Sequence, residues 1–318
     1  MTAPVRVAVL GAGSMGSLHA RVTSASIRTH LAGIVEPDAD RGRALAERYD
    51  VPWGADLDDV KCDAVVVAAS TEEHHKIGRD VLERGLPLLM EKPLAERLDE
   101  AEELVQLSAA SGVPLMCGLL ERYNPGIMTA LSLVEEPRHV TAVRHSPYVP
   151  RIRTGTSTDL LIHDVDIVLR LAGAYPSTIR ASLGYLHPDS PDGSEDVAEV
   201  MLGFPDGMLA NLSASRMSQR KVRAFTIAET GRLVEVDMLR NAVTIYRHVL
   251  NEAGPDGLGY RQQAIIEIPA LVSTQEPLAA QLDRFVDLVT GRADVDAERA
   301  DILPPHRVVE RVRSGDAV

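Results

Sequence analysis

Cysteine is almost missing: Cys62 and Cys117 are the only two in 318 residues. They allow one bridge at most, and neither stands in a Cys-x-x-Cys or His-rich cluster, so a structural zinc site has no support. Aromatic residues make up 3% of the chain, which leaves few rings for stacking bases or sugars. Positive charge is also short. The 33 basic against 46 acidic residues give a net charge of −13, which opposes binding to nucleic acid or an anionic membrane surface. No segment nears the ~20 apolar residues of a membrane span. No basic n-region or long apolar h-region precedes the strand-like run Val5–Leu10. A cytoplasmic protein is the expectation. Lysine is scarce too: Lys61, Lys76, Lys92 and Lys221 stand beside 29 arginines, so each lysine is worth inspecting.

What is present is an ordinary globular composition, 45% hydrophobic and 25% charged, in a chain long enough for two domains. Short Val-rich runs recur early: Val5–Leu10, Leu31–Val35, Ala64–Ala69, Leu86–Met90 and Val113–Met116. Helical patterns lie between them at Gly16–Ala25, Asp38–Tyr49, Glu72–Arg84 and Leu98–Ser111. This alternation predicts a doubly wound α/β domain with a parallel sheet over residues 1–120. From 121 to 318 the rhythm changes. A helix is expected from Thr158 to Leu171, then period-two strands at Thr178–Leu186, Val197–Phe204, Met208–Ser215, Val222–Glu229, Leu233–Met238, Val243–His248 and Gln262–Ile268. Turns such as Phe204-Pro205-Asp206-Gly207 separate them, predicting an α+β domain with a large, mainly antiparallel open sheet. Helix returns at Pro277–Val289 and Pro305–Val312, where the C-terminal helices could pack back on the first domain; Asn251–Gly259 is the most loop-like stretch.

The first strand runs into Gly11-Ala12-Gly13-Ser14-Met15-Gly16 and a helix follows at once. Such glycines permit a tight turn and let backbone N–H groups at a helix N-terminus meet a pyrophosphate. Glu36 lies twenty residues beyond Gly16, where a carboxylate can accept from the ribose hydroxyls of a dinucleotide and repel a 2′-phosphate, so NAD is preferred, with NADP not excluded. Pro37 and Asp38 offer a plainer role for Glu36, in an acidic cluster at a helix start. Glu91-Lys92-Pro93 follows the fourth strand and would sit at the carboxyl edge of the sheet, where a lysine can polarise a substrate oxygen. Asp159 and His163, four apart on one expected helix, suit a carboxylate that orients an imidazole base. On an arbitrary helix such a pair is a surface contact, and an isolated lysine is a surface ion pair.

Gly11–Gly16, Glu36, Ala69-Ser70-Thr71-Glu72-Glu73-His74, Glu91-Lys92-Pro93 and Asp159-Leu160-Leu161-Ile162-His163-Asp164-Val165-Asp166 occur in the order and spacing of one family. Over about residues 5–290 the chain resembles the glucose-fructose oxidoreductase / inositol dehydrogenase / MocA (Gfo/Idh/MocA) family of nicotinamide-dependent sugar oxidoreductases. With Glu121-Arg122-Tyr123-Asn124-Pro125 added, it looks most like the branch containing UDP-N-acetylglucosamine 3-dehydrogenases. The resemblance implies that Lys92, Asp159 and His163 are the catalytic lysine, aspartate and histidine. It further implies cofactor contacts at Gly11, Gly13, Ser14, Met15, Gly16, Glu36, Ser70, Thr71, His74, Glu91 and Lys92. Substrate contacts are implied at Tyr123, Asn124, Arg151, Arg153, Asp159 and His163, and no metal. Arg144, Arg151 and Arg153 could meet a nucleotide diphosphate.

Three positions depart from the family pattern: Ser70 where proline is common, Leu161 where glycine is frequent, and Pro304-Pro305, which put the closing helix in question. The implied activity is hydride transfer between NAD(P) and a secondary hydroxyl or ketone of a sugar, nucleotide-activated sugar or cyclitol. An NAD-recycling glycosidase acting by oxidation and elimination, or a non-catalytic NAD-binding sensor, would use the same parts. The open sheet implies pairing with a copy of itself, as homodimer or homotetramer.

Overall fold

The structure, a computed structural model, describes residues 3–150, 152–251 and 261–315; Arg151 and nearly all of the expected 251–259 loop lie outside them. In chain order the first elements are β1 (Val5–Leu10), α1 (Ser14–Ala25), β2 (Thr29–Val35), α2 (Ala39–Tyr49), β3 (Trp53–Gly54), β4 (Ala64–Val67), α3 (Thr71–Glu83), β5 (Leu88–Met90), α4 (Leu98–Ser111) and β6 (Leu115–Cys117). Then follow α5 (Pro125–Leu133), β7 (His139–His145), α6 (Ile162–Ala172), β8 (Thr178–Gly184), β9 (Val197–Gly203), β10 (Leu209–Ser215), β11 (Val222–Glu229), β12 (Arg232–Asp237), β13 (Ala242–Asn251) and β14 (Arg261–Glu267). Three helices close the sequence: α7 (Pro277–Val289), α8 (Val295–Ala300) and α9 (Leu303–Ser314). The chain divides into two compact units, Met1–Leu120 with Glu276–Arg307, and Glu121–Gln275 with Val308–Val318.

In unit 1 the strands run in the order β3-β2-β1-β4-β5-β6, and every pairing is parallel. Parallel strands covered on both faces need apolar residues at every position rather than alternate ones. The sequence obliges: all four residues of β4 and all three of β5 are buried. The order reverses between β1 and β4, which opens a crevice at the carboxyl ends of the strands, where ligands bind in such folds. Helix α7 packs on α1. Arg28, in the turn between α1 and β2, donates to Asp283 and Asp287 of α7 at 3.4 Å and 2.5 Å. The two-residue β3 was not expected; it is an edge strand too short to show a period.

Unit 2 holds an eight-stranded sheet in the order β14-β13-β12-β11-β7-β10-β9-β8. All neighbours are antiparallel except β7 and β10. Its buried face supplies Val140, Ala142, Leu212, Ala214, Phe225 and Ile227 to a core with Leu161, Val165 and Val168 of the helical layer. The sequence reading missed β7, the strand at the centre, and α5, whose short apolar run follows a proline. The closing helix is continuous despite Pro304 and Pro305. Both lie in the first turn of α9, where backbone N–H groups have no helical acceptor, so proline costs no hydrogen bond. Among the described residues no helix is long and apolar enough to cross a membrane, and no cluster of three His, Cys, Asp or Glu could hold a metal ion.

Candidate active site

The glycine loop is shaped by close backbone approach. Gly11 has φ +100°, and a Cβ there would lie 2.5 Å from the Ala68 carbonyl oxygen. A Cβ on Gly16 would collide with the Gly11 carbonyl, so α1 can leave the strand only if residue 16 is glycine. Gly13 differs: nothing lies within 4 Å of where its Cβ would be, and no side chain caps α1 there. An open backbone face at an uncapped helix N-terminus suits a phosphate. Glu36, 6% exposed, accepts from the Ala12 amide at 2.8 Å and from the Asp38 amide at 3.1 Å, and pairs with Arg41 at 3.0 Å. Its carboxylate therefore ties the end of β2 to the loop. The helix start itself is capped by Asp38 instead.

Ser70 and Thr71 open α3 directly after β4. His74, one turn further, is 1% exposed, with Nδ1 at 2.8 Å from the Pro93 carbonyl and Nε2 at 3.3 Å from that of Ala69. Burial lowers its pKa, against the pull of those carbonyls and of Glu91 and Glu72. The imidazole expected at a cofactor thus faces backbone. Glu91-Lys92-Pro93 follows β5, and the Lys92–Pro93 peptide is cis. Glu91 is 8% exposed; His19, which sequence reasoning passed over, lies with Nε2 2.7 Å from its Oε1. Unit 1 therefore gathers the glycine loop, Glu36, the start of α3 and the Lys92 turn at the carboxyl ends of β1, β2, β4 and β5.

In unit 2, residues 157–161 form a π-helical turn that runs straight into α6. Asp159 belongs to the π turn and His163, 9% exposed, to the first turn of α6, so the pair does not share the regular α-helix that the spacing assumed. Such turns are frequent at functional sites. This one is anchored by Glu195, which accepts from the Ser157 amide at 2.7 Å and from its hydroxyl. Arg216, 3% exposed, donates to Asp159 at 3.0 Å.

Arginines hold the rest of the helix. Arg144, 1% exposed, donates through Nη2 to Asp164 at 2.7 Å and through Nη1 to Glu121 at 2.7 Å. Burial disfavours its charge, but Asp164 and Glu121 outweigh that and raise its pKa. Burial likewise works to raise the Glu121 carboxyl, but Arg144 and Arg223 hold it below its ordinary value. Arg122 grips Asp166 with two bonds of 2.8 and 2.7 Å. Thus the 121–125 and 159–166 motifs, far apart in sequence, are joined by ion pairs.

The structure bears on two expectations. Arg144 does not face a diphosphate, because its guanidinium is buried against two carboxylates. Asn124 caps α5 through Oδ1 and donates from Nδ2 to the Met238 carbonyl, so both ends of its amide are engaged within the fold. Tyr123 is half-buried beside it, and Arg153 is exposed. Glu195, Arg216, His19 and His306 were missed, since each matters through a partner distant in sequence.

Two family descriptions match the chain: an oxidoreductase family with an NAD-binding Rossmann fold over residues 5–119, and the Gfo/Idh/MocA C-terminal domain over 129–234. UDP-N-acetylglucosamine 3-dehydrogenase of Acidithiobacillus ferrooxidans is 27% identical over 92% of this chain and 90% of its own. Its solved structure superposes with a TM-score of 0.82 over 99% of both chains. The myo-inositol dehydrogenase Hyg17 of Streptomyces leeuwenhoekii is 32% identical over 71% of this chain and 75% of its own. GenD2 from gentamicin A biosynthesis, solved in complex with NAD, shares the fold at a TM-score of 0.79 and 23% identity, over 99% of this chain and 96% of its own. By these matches the chain belongs to the Gfo/Idh/MocA family of NAD-binding oxidoreductases.

Proposed function

We propose that the protein transfers a hydride between NAD and a secondary hydroxyl or ketone of a sugar, with a nucleotide-activated sugar oxidised at C3 as the first substrate class to test. The observation that carries this reading is the likeness to a UDP-N-acetylglucosamine 3-dehydrogenase across both units, rather than over the cofactor unit alone. The open Gly13 face and the uncapped start of α1 fit a dinucleotide pyrophosphate. The buried Glu36 carboxylate opposes a 2′-phosphate, which favours NAD over NADP. When bound, the nicotinamide supplies the hydride acceptor. His163 takes the hydroxyl proton as the carbonyl forms, Asp159 stabilises the charge the imidazole gains, and Lys92 polarises the reacting oxygen. The open sheet of unit 2 would pair with a copy of itself; light scattering at micromolar concentration should give a dimer or tetramer, and a monomer would refute that part.

The test is reduced-nicotinamide absorbance with NAD or NADP and a panel of nucleotide sugars, cyclitols and free sugars, in both directions. Turnover should appear with one class, faster with NAD. His163→Ala should lower kcat on the order of 10²- to 10⁴-fold with NADH affinity unchanged. Undiminished turnover in that variant, or a flat trace across the panel from protein that demonstrably binds NADH, would sink the reading.

A further inference from the structure

Three buried histidines converge on the turn that carries Lys92. His19 of α1 and His74 of α3 are each 1% exposed, and His306 of α9 is 7% exposed. His19 reaches Glu91 at 2.7 Å, and His74 reaches the Pro93 carbonyl at 2.8 Å. The Leu94 amide donates to His306 Nε2 at 3.0 Å, while His306 Nδ1 lies 2.7 Å from the Ile302 carbonyl. Residues 91, 93 and 94 are therefore each held by a different helix, with Lys92 between them.

The partners assign each ring proton. Carboxylates and carbonyls only accept, so His19 donates from Nε2; both His74 nitrogens face carbonyls, and the shorter contact, Nδ1 to Pro93 at 2.8 Å against Nε2 to Ala69 at 3.3 Å, places the proton of the neutral ring on Nδ1. A backbone amide only donates, so His306 accepts at Nε2 and donates from Nδ1 to Ile302. Glu91 is the pivot of the arrangement. Its Oε1 takes His19, its Oε2 accepts the Lys92 amide at 3.3 Å, and its own amide donates to Val67 at 2.9 Å. It has little room to relax: a Cβ on Gly118 would lie 3.0 Å from Glu91 Oε2.

Resting on the reading of Lys92 as the group that polarises the reacting oxygen, we infer that His19, His74 and His306 are positioning residues. They fix the Lys92 turn from α1, α3 and α9 without touching any ligand themselves. A histidine that merely filled the core would not care which ring nitrogen a replacement imitates. A positioning histidine would, because asparagine places its amide near Nδ1 and glutamine near Nε2. The inference predicts opposite rescue at two sites: His19→Gln holds the turn and His19→Asn releases it, whereas His74→Asn holds it and His74→Gln releases it.

The measurement is NMR of protein carrying side-chain-labelled lysine. The chain has four lysines, so four signals arise, and Lys92→Gln assigns the one that matters. The Lys92 signal should move in His19→Asn and His74→Gln, and keep its parental position in His19→Gln and His74→Asn, with the other three signals still. Where turnover is measurable, kcat should fall on the order of ten- to a hundredfold in the two releasing variants, with NADH affinity within about twofold. An unmoved Lys92 signal, four signals moving together, or equal behaviour of the two amides at either site overturns the inference. If His74→Gln does not fold, the His19 pair decides alone. If the signal follows the predicted pattern but the parent turns over no substrate, the positioning stands and the hydride-transfer reading falls.

Discussion

The two units hold their expected catalytic groups by opposite means. In unit 1 the Lys92 turn is fixed mainly by histidine rings that meet a carboxylate and backbone groups. In unit 2 the helix of His163 is fixed by full charges, Arg144 on Asp164, Arg122 on Asp166 and Arg216 on Asp159. Histidine bonds to the backbone are directional and carry no need for a counter-charge, so removing one leaves a single polar group to be rehydrated. A buried ion pair is different: each partner makes the burial of the other tolerable, and losing one strands a charge.

That difference can be broken most forcefully at Arg144. Arg144→Met leaves Asp164, 1% exposed, without its guanidinium, and should cost about 3–5 kcal/mol of folding stability by urea denaturation. Arg223 touches the same Glu121 at 2.8 Å, but its side chain is 32% exposed, so Arg223→Ala should cost no more than about 1 kcal/mol. Equal losses in the two variants would mean that burial is not what separates them.

The smaller effect lies in unit 1 and depends on pH. His74 has its pKa depressed by burial, so the unfolded chain takes up a proton more readily than the folded one. Its contribution is complete above the unfolded value of about 6.5 and fades as pH falls through the lower folded value. His74→Asn keeps a donor near Nδ1 but cannot titrate. Its melting temperature should change less than the parent's between pH 7 and 5, and parallel curves would remove His74 from the acid response.

Much of unit 1 was legible because its signals are local. Ala64-Val65-Val66-Val67 reads as a buried strand with no help from its neighbours, and the glycine loop announces the turn that follows β1. Unit 2 hid its centre. In β7, His139-Val140-Thr141-Ala142-Val143-Arg144-His145, the alternation is blurred because Arg144 points to the buried side and is neutralised only by residues 20 and 23 positions away. The π turn at 157–161 depends on Glu195 from another segment, and nothing in Ser157-Thr158-Asp159-Leu160-Leu161 announces it. Asp159 and His163 were readable as a pairing of residue types four positions apart. Their arginine partners were not, because an arginine-rich chain gives no local sign of which guanidinium is buried.

The bond from Leu94 to His306 also sets an order of events. The amide of Leu94 finds its acceptor 212 residues later in the chain. A growing chain can complete the strands around the glycine loop from local segments, but the turn after β5 stays partly unheld until the whole of residues 121–275 has been made. Closing so long a loop adds only slowly to the entropic cost, yet it is a late, non-local contact of the kind that slows folding. The lysine turn is therefore among the last parts of unit 1 to become finished, and synthesis of residues 121–275 of the second unit precedes its completion.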